Sequence, residues 1–161
     1  MPNMFPTMYR GEGQRQPIGD PTVEPQALKV GYWWLVISAA ITIFFGLVVA
    51  TTGYTGDPNV TPDLIAAVEL NQQVVGIYNI VAGFLIAVLM TQVRRAVKYA
   101  RRWVVGIVML TVIVDLIAFT VKAAGAGIAI IPLLLATGAL IIYRPAVNTY
   151  VAYRNDELYY D

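Results

Sequence analysis

Residues 73–121 read QVVGIYNIVAGFLIAVLMTQV, then RRAVKYARR, then WVVGIVMLTVIVDLIAFTV. Two apolar runs of about 20 residues flank a short loop holding five basic side chains. An α-helix rises 1.5 Å per residue, so each run matches the roughly 30 Å hydrocarbon core of a bilayer. The apolar positions are continuous and do not alternate, which excludes a transmembrane β-strand reading. The segment therefore predicts an antiparallel helical hairpin in lipid.

The same pattern extends outward. Apolar runs at 31–50 and 127–143 add two further spans to those at 73–93 and 103–121. The fold class expected is an all-α membrane protein: a four-transmembrane-helix antiparallel bundle over residues 31–144. An extended polar N-terminal tail (1–30) precedes it and a second tail (145–161) follows. Hydrophobic residues make up 58% of the 161-residue chain and charged ones only 13%. A soluble domain of this size has too little interior to hide four such runs.

Threading follows from the basic residues. Arg10, Arg15 and Lys29 precede the first run, and none lies between the first and second. Arg94, Arg95, Lys98, Arg101 and Arg102 fill the loop between the second and third. Lys122 alone lies between the third and fourth, and Arg144 and Arg154 follow the fourth. Ten of the 11 basic residues fall on one side, so the positive-inside rule places both termini in the cytoplasm of a multi-pass cell-membrane protein. Tyr32, Trp33, Trp34, Tyr99, Trp103 and Tyr143 fall at that same interface, where amphipathic rings are favoured. The five loop cations suit anionic lipid headgroups; a protein docking site is the other use open to them. Nothing in the first 29 residues reads as a secretory signal peptide.

Composition removes several chemistries. The chain has no Cys and no His, so no disulfide, thiolate or imidazole metal ligand, or haem-ligating His is available. No cofactor is expected. A net charge of +1 gives no field of the kind that draws nucleic acid.

One acid lies inside an apolar run. A charge at the bilayer centre costs about 2.5–3.5 kcal/mol on insertion scales, so such a residue faces protein or water and has a partner. Asp115 sits six residues before Val121, and Asn79 sits six residues after Gln73. Both are therefore about 9 Å below the same boundary. They are expected to face each other as an intramembrane polar clasp, with Thr111, one turn from Asp115, joining them and Lys122 bending down as a counter-ion. A proton or ion relay and a polar contact to a partner subunit are the alternatives. An enzyme is disfavoured, because Asp115 has no catalytic mate in the sequence.

Other signals concern helix ends and contacts. Thr61-Pro62-Asp63 reads as an N-cap, a proline at the first helical position and a first-turn acid. The second helix should thus start about 15 Å outside the core. Gly76 and Gly83, seven residues apart, permit close helix contact. Pro132 inside the fourth run predicts a kink. The tyrosine- and acid-containing tail (Tyr150, Tyr153, Asp156, Glu157, Tyr159, Tyr160, Asp161) is expected to dock on the basic loop or on a partner. The tail at 1–30, rich in Pro and Gly, cannot build a core and is expected to be extended.

Tyr9-Arg10-Gly11-Glu12-Gly13, Tyr32-Trp33-Trp34, the pairs Arg94-Arg95 and Arg101-Arg102, and the tyrosine-rich end spread over the whole chain. In these features the chain resembles the small four-span accessory proteins of actinobacterial respiratory assemblies, in particular the respiratory supercomplex association factor. The resemblance implies a non-catalytic subunit, without a redox centre of its own, that accompanies other membrane subunits in the cytochrome bcc–cytochrome oxidase supercomplex. It transfers no functional residue. The alternative is a small four-span transporter or channel acting as a homo-oligomer.

Overall fold

The structure, a computed structural model, describes residues 22–57, 59–120 and 126–157. Among these residues it is helical and contains no strand. The order is α1 (Gln26–Thr52), α2 (Pro62–Arg94), α3 (Ala100–Thr120), a 3₁₀ turn (Ala126–Ala129), α4 (Ile130–Ile142) and α5 (Pro145–Glu157). The helices α1, α2 and α3 are each long and apolar enough to cross a membrane. A fourth segment qualifies when α4 and α5, bent by 58° at their junction, count together. That length and apolarity mark a multi-pass membrane protein. The tail at 1–21, Lys122, Tyr159 and Tyr160 lie outside the described residues.

The helix ends follow local chemistry. Gly53, at φ 66°, stops α1 in a left-handed conformation that glycine adopts freely. Proline opens α2 at its first position, with Asp63 in the first turn. Thr61 differs from the expectation: its side chain makes no capping bond, and its carbonyl oxygen instead accepts from the Leu64 and Ile65 N–H groups at 3.0 and 3.2 Å. At 33 residues, α2 is about 50 Å long and outreaches α1. The Glu69 carboxylate ties this overhang back, accepting from the Tyr54 N–H at 3.2 Å.

Pro132 also behaves differently from the expected kink. It falls at the third residue of α4, where an N–H has no intrahelical acceptor in any helix. The backbone ahead of it tightens into the 3₁₀ turn. Proline here sets where the α-helix begins instead of bending its middle.

Register is fixed by glycines at close approaches. On α1–α2, Gly83 lies against the Ala39 carbonyl, and Gly46 and Gly76 lie against each other, with Ala50 beyond. The numbers rise on one helix as they fall on the other, so the pair runs antiparallel. On α1–α4, Gly31 abuts Ile142, Gly138 abuts Leu35 and Gly127 abuts Phe45, again antiparallel. The Trp34 indole N–H locks that seam by donating to the Leu134 carbonyl at 2.9 Å. Leu28, Leu35, Ile86, Val104, Leu135 and Ile142 are among the fully buried side chains between the helices. The outward faces are as apolar as the core: Leu140 is 74% exposed and Phe84 64%. A helix apolar all round belongs in lipid.

The turn between α2 and α3 supports α5. The N–H groups of Ala96 and Val97 bond back to the carbonyls of Val93 and Gln92 at 3.0 and 3.2 Å, the paired pattern of a Schellman end. Its left-handed position holds Ala96 at φ 59°, where glycine is usual. The Ala96 carbonyl accepts from the Asn155 amide at 2.9 Å, and Val147, Tyr150 and Val151 of α5 are buried nearby in the core cluster. The tail from 145 is thus a helix seated on the chain's own basic loop.

Candidate functional site

The α2–α3 interface carries a buried polar pair. Asn79 on α2 is fully buried and Asp115 on α3 is 1% exposed. The Asn79 Nδ2 donates to Asp115 Oδ1 at 2.7 Å and also to the Val75 carbonyl, one turn back on its own helix, at 3.2 Å. Both amide hydrogens are therefore used. Asn79 Oδ1 and Asp115 Oδ2 have no hydrogen-bond partner among the described residues.

The pair is covered by α1. The missing side chain of Gly46 lets α1 approach the Gly76 carbonyl and Asn79 Cβ so closely that an added Cβ would sit 2.8 and 3.0 Å from them. Gly46 was not singled out from the sequence. Its signal is a small residue in a helix where Leu, Val and Phe surround it.

Thr111 is buried one turn from Asp115 but makes a different contact. Its hydroxyl donates to the Ile107 carbonyl at 2.9 Å, so its oxygen can only accept from the Tyr78 hydroxyl, 3.4 Å away. The expected triad thus separates into two rungs between α2 and α3. One is the short Asn79–Asp115 bond and the other is the long Tyr78–Thr111 contact. Tyr78 was missed because its neighbours read as ordinary span residues.

The remaining buried hydroxyls are satisfied locally. Ser38 donates to the Trp34 carbonyl at 2.7 Å and Thr42 to the Ser38 carbonyl at 2.8 Å, a common use of Ser and Thr in membrane helices. Among the described residues no three Asp or Glu side chains converge on a possible metal position.

The five loop cations do not form one patch. Arg94 pairs with Glu24 at 3.3 Å and lies over the Tyr32 ring at 5.3 Å. Arg101 stacks on the Tyr143 ring at 4.6 Å and donates to Asn148 Oδ1. Lys98 lies 5.9 Å from the Tyr99 ring centre. Arg95 and Arg102 are exposed. Arg94 is thus engaged with the segment entering α1, and Arg101 with the α4–α5 junction.

Chemically, the Asn79–Asp115 pair can hold α2 against α3 in a medium that offers no competing water. Comparison with protein-family models, with curated proteins and with solved structures gives no match.

Proposed function

We propose that this chain is a non-catalytic accessory subunit of a larger bacterial membrane complex. In this reading it crosses the cell membrane four times as an antiparallel bundle with both termini in the cytoplasm. The fourth span is the 3₁₀ turn together with α4. Four residues at about 2 Å and 13 at 1.5 Å give roughly 28 Å, close to the hydrocarbon thickness. The cytoplasmic side is the one bearing Arg94 to Arg102 and Arg144.

The observation that carries the accessory role is the disposition of buried polar groups. Ser38, Thr42 and Thr111 bond within their own helices, and Asp115 bonds to Asn79. Only the Asp115–Asn79 bond joins two helices, and among the described residues these groups do not form the series of ionisable side chains that a relay needs. The apolar outward faces and the overhanging start of α2 supply contact surface for other membrane subunits. The resemblance to the respiratory supercomplex association factor points to the cytochrome bcc–cytochrome oxidase supercomplex as the assembly.

The test is purification through a tag on this chain in mild detergent, with identification of what co-elutes. Co-elution of haem-containing subunits, read as visible absorbance, is the expected result. A homo-oligomer eluting without other subunits overturns it and leaves the transporter or channel reading, in which Asp115 serves a translocated ion.

A further inference from the structure

Between α3 and α4 the bundle leaves an open groove of about 500 Å³, lined by apolar side chains, with Tyr143 among them toward the basic loop. Ligand sites span roughly 300–1,000 Å³. The α3 wall of the groove carries Val105, Met109 and Val112, and on α4 the small Ala136 and Ala139 contribute to the lining and take up little of the space. It runs from Val105 to Val112, about 10 Å along the helix, from the basic loop toward the middle of the span.

Its mouth has a different chemistry. Arg101 and Arg102 lie four and three residues before Val105, one helical turn away on that side. The Arg101 guanidinium is fixed, stacked on the groove-lining Tyr143 and donating through Nη1 to Asn148. A guanidinium has five N–H donors, so four remain, and no carboxylate of the described residues pairs with them. Arg102 is exposed beside it.

We propose that this groove binds an anionic phospholipid, with one acyl chain between α3 and α4 and the phosphate on Arg101 and Arg102. An apolar channel open to the lipid-facing surface and capped by two guanidinium groups at the interface matches an amphiphile with that polarity. A transmembrane helix of a partner laid there would press apolar side chains on Arg101 and leave its donors unmet. The site depends on α3 and α4 crossing the bilayer and not on the accessory role.

The test uses the full chain, delipidated in detergent and incubated with phosphatidylglycerol or phosphatidylcholine, with retained lipid counted by native mass spectrometry. Phosphatidylglycerol should be retained over phosphatidylcholine by roughly thirtyfold, the scale expected for two interfacial cations. Arg101→Gln with Arg102→Gln should abolish that preference while phosphatidylcholine retention stays unchanged. Ala139→Phe, which fills the groove, should lower retention of both lipids. Equal retention of the two lipids by the unaltered protein overturns the proposal, as does undiminished retention in an Ala139→Phe protein with unchanged melting temperature. The chain has no Cys, so Leu140→Cys reports a rival occupant directly. Disulfide-linked dimers of that variant in native membranes would mean that a second copy occupies the groove.

Discussion

At the residue scale, the cost of Asp115 is decided by its partner. A carboxylate-bearing side chain in a lipid-facing position is expensive to insert, and its burial beneath α1 with Asn79 at 2.7 Å removes it from lipid. Hydrogen bonds between membrane helices average about 0.6 kcal/mol and reach about 1.7 kcal/mol in double-mutant cycles. A cycle with Asn79→Ala and Asp115→Ala, read by unfolding in detergent mixtures, should give a coupling in that range. Additive losses would show that the two side chains meet without stabilising each other. The pairing was legible because equal depth on two helices joined by a short loop is simple arithmetic. Thr111 misled because sharing a helical face with Asp115 does not decide where its hydroxyl points. The Ile107 carbonyl, one turn back on the same helix, takes the Thr111 hydroxyl hydrogen and decides that.

At the element scale, close helix approach rests on glycine. An added Cβ at Gly76 would stand 2.6 Å from the Ala50 nitrogen and 2.7 Å from its Cβ. Backbone cannot yield as a flexible side chain can, so α1 and α2 would have to part. Gly76→Leu should destabilise the protein by about 1–3 kcal/mol or more, the usual penalty of overpacking, seen as a lower melting temperature in detergent. Gly106 on α3 has nothing within 4 Å of an added Cβ. Gly106→Ala should therefore leave the melting temperature unchanged or raise it, since alanine is the better helix former. If both variants behaved alike, the α1–α2 contact would not be the reason for Gly76. The turn at Ala96 is the counter-case. Its left-handed φ of 59° in a residue with a Cβ is held by the Schellman bonds and by Asn155 of α5. No property of the sequence around Ala96 announces it, because the support comes from a helix about 60 positions later.

At the scale of the whole molecule, orientation is the property to test. Single cysteines at Thr55, between α1 and α2, and at Tyr99, between α2 and α3, lie at opposite ends of α2 in a chain with no other Cys. In intact cells an impermeant maleimide should label the Thr55→Cys variant and reach Tyr99→Cys only after the membrane is opened. The reverse order would invert the topology drawn from the basic residues. The runs of apolar residues, their length and the charge bias between them are local quantities, and lipid acts on them locally. For that reason the sequence by itself determined that the chain is helical, where its long membrane-length helices lie and which buried acid needs a partner. Only the tertiary structure decided the glycine register of α1 against α2 and α4, the separation of Thr111 from the Asp115 pair, and the seating of α5 on the basic turn. The same holds for the groove between α3 and α4. Each of these depends on how residues far apart in the chain fit together in three dimensions, and shape complementarity between helices has no period or composition that a single strand of sequence displays.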